Sequence, residues 1–251
     1  MRLTVLGSGA VRPNPLGASS GYLLGVGQRR YLVDCGYGVL SRLLAIVAPA
    51  SLDGVLISHF HPDHCIDLTG VAMALRYAPG PKRLEPLPVY AAPDTRRDLE
   101  QLGAVLDAPW DGVVAFVDID SEDALLLEGD LTVRFAPTVH YQPCLAMRFE
   151  HGGRTLTYTA DTGPCPAVTD LASGSDLLIA ESTLPERDGD RREWGHLTAT
   201  EAGEMARRAG AAKLVLTHYF VEHDPERLRS LAAAAFGGPV DLAREGEVHD
   251  V

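Results

Sequence analysis

Three histidines and an aspartate lie within six residues of the stretch SHFHPDHCID, in a chain that has nine histidines in all. His59 and His61 are separated by one residue, so in an extended segment their imidazoles leave the backbone on the same side. Pro62 fixes a turn before Asp63 and His64, so two pairs of ligands can face two adjacent points. Such nitrogen and oxygen donors attract Zn²⁺, or Mn²⁺ and Fe²⁺ where carboxylates contribute. The pattern predicts a metal site.

The cluster directly follows the apolar run VLI at residues 55–57, which is typical of a strand buried on both faces. Three further residues with metal-binding side chains each come just after a predicted strand, and they are His140, Asp161 and His218. Because α/β folds place their sites at the carboxyl ends of strands, we expect these residues to share one rim with the cluster. Asp161 is the best placed to bridge two cations through its two carboxylate oxygens.

Apolar runs and their periodicity predict the elements that position these residues. Strands are predicted at residues 3–6, 21–25, 30–34, 55–57, 87–90, 113–117, 131–136, 145–150, 155–158, 177–180 and 214–216. Helices are predicted at residues 39–47, after Cys65, and at 94–106, 198–209 and 225–235, with a loop at 79–88. The segments LTVLGSGAV and LTVRFAPTV each open a meander of strands, which indicates two similar halves packed face to face.

The 251 residues are 46% hydrophobic and 22% charged, which suits one globular domain over residues 1–251. The first residues carry no apolar segment with a cleavage site, and no run reaches the length of a membrane span. Four cysteines without a CxxC pair predict neither a disulfide framework nor a thiolate zinc site. We expect a cytoplasmic protein with no membrane partner. The net charge of −12 argues against broad, non-specific binding of nucleic acid.

The motif HFHPDH matches the HxHxDH signature of the metallo-β-lactamase fold. His140, Asp161 and His218 match, in order, the later ligands of that superfamily. The resemblance implies an α+β protein built as a four-layer αββα sandwich of two similar halves. It also implies a binuclear metal site along one edge and hydrolysis by metal-bound hydroxide.

The second half contains DTGPC, AEST, GHLTATEA and LTHYF, which resemble the ribonuclease Z branch, whose members are phosphodiesterases. The resemblance implies two divalent metal ions, with Zn²⁺ as the first expectation and Mn²⁺ or Fe²⁺ as alternatives. The implied ligands are His59, His61 and His140 for one ion, Asp63, His64 and His218 for the other, and Asp161 as the bridge.

The same resemblance implies a catalytic group beside the metals. His196 matches the extra catalytic histidine of the branch, and Glu181 matches the acid that orients it. His196 could protonate the leaving oxygen or stabilise the equatorial oxygens, because a nearby carboxylate can tune its pKa. The alternative is a histidine that caps a helix or packs in the core. Asp63 is counted with these two residues as catalytic.

One feature departs from ribonuclease Z. That branch carries a long protruding arm that clamps tRNA, whereas here 20 residues separate His140 from Asp161 and contain two predicted strands and a turn. The segments SGYLL, LVDCGYGVL, SHFHPDHCIDLTG and RY instead resemble compact, armless phosphodiesterases, including bacterial enzymes that hydrolyse cyclic nucleotides. We therefore expect a metal-dependent phosphodiesterase that acts on a small, cyclic nucleotide.

Several alternatives stay open at this point. A tRNA 3′-processing endonuclease, a lactonase or thioesterase, and a metal-bearing module without turnover can all use this ligand set. Asp34 and Asp67 are candidates either for orienting imidazoles or for capping turns, and Cys65 is expected to be a buried thiol. RNA and a second copy of the chain remain open as partners, and residues 79–110 match no chemistry.

Overall fold

The computed structural model of the protein describes residues 1–15, 17–79, 82–122, 124–187 and 195–251. Its strands are β1 (Arg2–Gly7), β2 (Gly21–Val26), β3 (Arg29–Val33), β4 (Gly54–Leu56), β5 (Leu87–Ala91), β6 (Val114–Asp118), β7 (Ala124–Leu127), β8 (Leu131–Pro137), β9 (Leu145–His151), β10 (Arg154–Tyr158), β11 (Leu177–Glu181), β12 (Leu214–Thr217), β13 (Val240–Leu242) and β14 (Val248–Asp250). Its α-helices are α1 (Val39–Leu44), α2 (Pro62–Cys65), α3 (Leu68–Tyr77), α4 (Pro93–Leu106), α5 (Pro166–Leu171), α6 (Ala199–Ala209) and α7 (Pro225–Phe236).

The strands form two seven-stranded sheets built to the same plan. The first has the order β14-β1-β2-β3-β4-β5-β6 and the second the order β7-β8-β9-β10-β11-β12-β13. In each, an antiparallel meander (β1 to β3, or β8 to β10) is followed by parallel strands. The two similar sequence segments contain β1 and β8, which occupy equivalent positions in the two sheets. The predicted pair of similar halves is therefore confirmed.

Apolar side chains alternate along the central strands and fill three separate cores. Leu56 of β4 packs between the two sheets, whereas its neighbours Val55 and Ile57 pack under α1, α3 and α4. On β12, Val215 likewise faces the space between the sheets, and the residues on either side of it pack against α5 to α7. Helices thus cover both outer faces, and the predicted α+β architecture of four αββα layers is confirmed.

The predicted strands all occur, with ends shifted by no more than one residue. The predicted helix at 39–47 is shorter, because α1 ends at Leu44. Strands β7, β13 and β14 and helices α2 and α5 were not predicted, since each is short. In the predicted loop at 79–88, positions 80 and 81 lie outside the described residues, and β5 already begins at Leu87. Among the described helices, none has the length and apolar character that crossing a bilayer requires.

Candidate metal centre

The histidine-rich loop begins where β4 ends and continues into α2, which starts at Pro62. It packs tightly on the chain that leaves β3, where Cys35 N donates to His64 O over 2.6 Å. A Cβ atom on Gly36 would lie 1.8 Å from Asp63 O, so only glycine permits this approach. The ligand loop is thereby fixed against the first sheet.

Strain is concentrated at the strand ends that carry the site. Asp34 after β3, Ala160 after β10 and His218 after β12 have φ values of 56°, 50° and 49°. Non-glycine residues rarely adopt this left-handed conformation, and it persists where the surrounding structure imposes it. The three turns bring functional side chains back over the edges of the sheets.

The structure gathers all the predicted ligands at one rim. Ligand atoms of the first set lie within 4.8 Å of one another, as do those of the second set. The first set is His59, His61, His140 and Asp161, and the second is Asp63, His64 and His218. Two expectations were inexact, because β8 ends at Pro137 and β10 at Tyr158, so His140 and Asp161 each follow three residues later. Of the three dispersed ligands, His218 alone comes directly after its strand, which ends at Thr217.

Distances within the first set suit tetrahedral coordination. His61 Nδ1 lies 2.9 Å from His59 Nε2 and 3.0 Å from His140 Nε2. Asp161 Oδ2 lies 3.8 Å from each of the two Nε2 atoms. Since Zn–N bonds are about 2.0–2.1 Å long, ligands at the corners of a tetrahedron lie about 3.3 Å apart. One ion therefore fits among these donors.

The second set converges in the same way. His218 Nε2 lies 3.0 Å from Asp63 Oδ2 and 3.3 Å from His64 Nε2. Asp161 reaches this set as well, with Oδ1 at 3.2 Å from His64 Nε2 and Oδ2 at 3.5 Å from His218 Nε2. The carboxylate of Asp161 thus lies between the two sets, as a bridging ligand requires.

Asp34 orients the histidines of the ligand loop. Its buried carboxylate lies 2.8 Å from His64 Nδ1 and accepts from the Ser58 hydroxyl over 2.8 Å. Because the Ser58 proton goes to this carboxylate, the Ser58 oxygen accepts from His59 Nδ1, which is 3.0 Å away. Both imidazoles are therefore held through Nδ1 and turn Nε2 into the candidate centre, which is how proteins commonly orient metal-binding histidines.

Glu181 has the same arrangement in the second half. Its Oε2 accepts from the Thr183 hydroxyl over 2.6 Å, and its Oε1 lies 2.9 Å from His196 Nδ1. Since the Thr183 proton goes to Glu181, the Thr183 oxygen accepts from His218 Nδ1 over 2.7 Å. Glu181 therefore holds one predicted ligand through a hydroxyl group and the predicted catalytic histidine directly.

This donor set fits a divalent cation. His140 Nδ1 donates to Gly195 O over 2.9 Å, so its Nε2 carries a lone pair, as does Nε2 of His59. Both lone pairs face His61 Nδ1 at about the distance of a hydrogen bond, and at most one proton can lie among the three nitrogens. Asp161 Oδ1 is also buried, and within the described part of the chain it has no hydrogen-bond partner. A cation would satisfy all of these groups at once.

Burial lowers the pKa of His59, His61 and His140, and repulsion from neighbouring imidazoles adds to the effect. These imidazoles are accordingly held neutral, which is the form that binds metal. Burial acts in the same direction on His64, but the carboxylates led by Asp161 outweigh it and raise its pKa well above the usual value. The carboxylates around His64 therefore favour a positive charge within the second set.

The two acidic residues of the centre are held as carboxylates. Burial alone would raise the pKa of Asp63, but His64 and His218 lower it to about 2. The same two histidines hold the pKa of Asp161 well below its usual value despite complete burial. Both side chains are therefore ionised and available as ligands at neutral pH.

His196 is held at its side chain and at its backbone. Burial alone would lower its pKa, but the Glu181 carboxylate raises it to about 9. Arg187 donates to His196 O over 2.8 Å and forms two hydrogen bonds to Glu201, of 2.6 and 2.9 Å. Glu201 also closes the capping box of α6 with Thr198. The start of α6 therefore fixes the position of the imidazole.

Sequence reasoning missed several of these partners. Ser58 and Thr183 received no role, although each lies within two residues of a site residue, which is the signal that could have found them. Arg187 was not considered. Of the two further aspartates, Asp34 contacts a predicted ligand, whereas Asp67 accepts from Leu40 N over 3.0 Å at the start of α1 and has the turn-capping role that was its alternative.

Comparisons with known proteins identify the family to which the chain belongs. A profile of the β-lactamase superfamily domain matches residues 29–219. The "Probable metallo-hydrolase YhfI" of Bacillus subtilis is 35% identical over 251 residues, 99% of either chain. Its crystal structure, described as a metallo-β-lactamase fold protein, superposes with a TM-score of 0.87 at 33% identity, over 99% of this chain and 98% of that one.

A further relative and a further solved structure extend the comparison. Ribonuclease Z of Mycobacterium bovis is 30% identical over 274 aligned positions, which cover 98% of this chain and 96% of its own. The crystal structure of the short form of human tRNase Z superposes with a TM-score of 0.78 over 100% of this chain and 99% of that one. At 22% identity, this last likeness is one of fold.

Proposed function

The chain belongs to the metallo-hydrolases of the β-lactamase superfamily, and we propose that this metal-dependent hydrolase is a phosphodiesterase acting on a small, cyclic nucleotide. The observation that carries the proposal is the pair of ligand sets joined by Asp161, with the His196–Glu181 pair beside them. A phosphodiester is an anion that needs charge neutralisation on its oxygens and a proton for its leaving group, and this arrangement offers both.

The ligand assignment is part of the proposal. One ion would be held by His59, His61 and His140, the other by Asp63, His64 and His218, with Asp161 between them. The preponderance of imidazoles favours Zn²⁺, with Mn²⁺ or Fe²⁺ as alternatives. When bound, two such ions supply a water of lowered pKa and neutralise the charge that develops on the phosphate.

His196 supplies the proton. Its Nδ1 is engaged by Glu181, so Nε2 is the atom left to donate to the leaving oxygen. The ring lies nearly parallel to that of His218, with centroids 5.7 Å apart, which places it beside a proposed ligand of the second ion. Asp63 would be a ligand of the same ion, and Val11 N donates to its Oδ2 over 2.8 Å. This hydrogen bond holds the carboxylate in position.

A small substrate is favoured over a long RNA. The 20 residues between His140 and Asp161 are used for β9, β10 and the turn at Gly152 and Gly153, so this segment holds no arm. A net charge of −12 disfavours extended contact with a phosphate backbone, whereas one phosphate needs only local positive charge. The four cysteines are buried and unpaired, which supports a reducing, cytoplasmic location.

A ribonuclease Z-like endonuclease is the second candidate. The observation that favours it is the 30% identity to ribonuclease Z of Mycobacterium bovis over nearly the whole chain. For this protein to process tRNA, the RNA would have to be held by surfaces other than an arm between the two ligands.

A parallel assay separates these candidates. Protein loaded with Zn²⁺ or with Mn²⁺ is given bis-p-nitrophenyl phosphate, 3′,5′-cyclic AMP, a pre-tRNA with a 3′ trailer and an acyl lactone. We expect hydrolysis of the first two substrates. Trailer cleavage without cyclic AMP hydrolysis would favour the endonuclease, and turnover of the lactone alone would overturn phosphodiester chemistry.

A further inference from the structure

Tyr141 stands at the mouth of the candidate centre, directly after His140, and 58% of it is exposed. Its ring centroid lies 5.2 Å from that of His140 and 6.0 Å from that of His196. A Cβ atom on Gly195 would approach the ring to 2.7 Å, so the ring rests against bare backbone there. The result is an aromatic ring supported on one side and open to solvent beside the site.

The other tyrosines in the middle of the molecule behave differently. Tyr22, Tyr31 and Tyr158 are almost completely buried, and their hydroxyls bond to Thr217, to a backbone carbonyl and to Asp34. These rings fill the core between the sheets. Tyr141 does not stabilise the fold in this way, because most of its apolar surface remains in water.

We propose that Tyr141 stacks on the nucleobase of the substrate and is a specificity-determining residue, an inference that rests on the proposed function. A nucleotide whose phosphate binds at the ligand sets and whose ribose extends past His140 and His196 would bring its base to the ring of Tyr141. The ring of Tyr141 borders both side chains, so the base at the far end of the ribose meets an aromatic face. Every base has such a face, and base–aromatic stacking is a recurrent means of binding single nucleotides.

The chemistry of stacking sets the expected selectivity. The interaction is the same in the bound substrate and in the transition state, so it acts on KM and leaves kcat unchanged. It tolerates any base and favours the larger purines. It does not contribute to a substrate that lacks a base, and that difference provides the test.

The kinetic test uses 3′,5′-cyclic AMP and the base-free analogue 1-deoxyribose 3′,5′-cyclic phosphate. Tyr141→Leu keeps apolar bulk against Gly195 but removes the aromatic face, and it should raise KM for cyclic AMP by about 5- to 100-fold. Tyr141→Phe keeps the face and should stay within about twofold of the wild type. Tyr77→Leu, at a tyrosine of α3 that is 71% exposed, is the matched control and should change nothing. An equal rise in KM for both substrates would overturn the proposal.

A binding experiment measures the contribution of the base without turnover. Calorimetry on the metal-loaded protein compares AMP with ribose 5-phosphate, and we expect tighter binding of AMP in the wild type and equal binding in Tyr141→Leu. If the wild type binds the two ligands equally, stacking is excluded whatever the enzyme hydrolyses. If AMP is preferred through Tyr141 but no phosphodiester is cleaved, stacking stands and the proposed function fails.

Discussion

The two halves of the molecule share one strand order but contribute to the candidate centre in different ways. The first half offers four predicted ligands from a single loop at residues 59–64, after β4. The second half offers His140, Asp161 and His218, which follow three different strands, β8, β10 and β12. A compact loop can be recognised locally, whereas the dispersed ligands come together only when the second sheet has formed. The complete centre therefore depends on the packing of both sheets.

The two orienting carboxylates show a second contrast. Asp34 holds two predicted ligands, His64 directly and His59 through a hydroxyl. Glu181 holds one predicted ligand, His218, through a hydroxyl, and its direct partner is His196, the proposed proton donor. The orienting carboxylate of the first half thus contacts two predicted metal ligands, whereas that of the second half contacts one predicted ligand and the predicted catalytic histidine.

The largest effect is expected at the residue shared by both sets. Asp161→Ala should remove the bridge and lower hydrolysis of bis-p-nitrophenyl phosphate by at least about 10³-fold, with loss of bound metal. His64→Ala should do the same from the first half. Metal content measured by mass spectrometry accompanies each assay, and Asp170→Ala, at an exposed aspartate of α5, is the control. Two ions retained by Asp161→Ala would contradict the bridging role.

The next effect separates catalysis from metal binding. His196→Ala should leave the metal content unchanged and lower kcat by about 10²- to 10⁴-fold, because the leaving oxygen loses its proton donor. Steady-state kinetics at saturating metal, with metal analysis of the same sample, checks this. Loss of an ion from the variant would make His196 a ligand and overturn the assignment.

The comparison of the two carboxylates is tested by neutral replacements. Asp34→Asn should weaken metal affinity by about 10- to 100-fold while kcat at saturating metal stays near that of the wild type. Glu181→Gln should weaken metal affinity and also lower kcat, because it disturbs His218 and His196 together. Metal titrations and kcat are measured on both variants. A fall in kcat of equal size in both variants at saturating metal would contradict the proposed difference between the two carboxylates.

The smallest effect concerns the support of the proton donor. Glu201→Gln keeps a residue suited to the capping box with Thr198 but removes the charge that pairs with Arg187. We expect kcat to fall by less than about tenfold and stability to fall by about 1 kcal/mol, with metal content unchanged. Thermal unfolding and kinetics measure the two quantities. Wild-type kcat in a fully folded variant would show that the backbone of His196 needs no such support.

Sequence reasoning worked where a strand end or a motif carried the signal and failed where the signal lay in a contact between side chains. Strand ends were predicted within one residue because apolar runs stop abruptly there, and the histidine loop is a dense motif. The hydroxyl groups of Ser58 and Thr183 belong to no periodic pattern, and their roles depend on carboxylates brought close by the fold. The need for Gly36 arises from one contact with the ligand loop, and the position of the Tyr141 ring depends on its close approach to Gly195. Such pairwise contacts become visible only in three dimensions.

The central claim is that phosphodiester hydrolysis requires two ions held between the halves. The most direct measurement titrates Zn²⁺ into chelator-treated protein and follows hydrolysis of bis-p-nitrophenyl phosphate against the number of ions bound per chain. We predict negligible activity without metal and a maximum when two ions are bound. Full activity in the metal-free protein, or no hydrolysis with two ions bound, would contradict the claim.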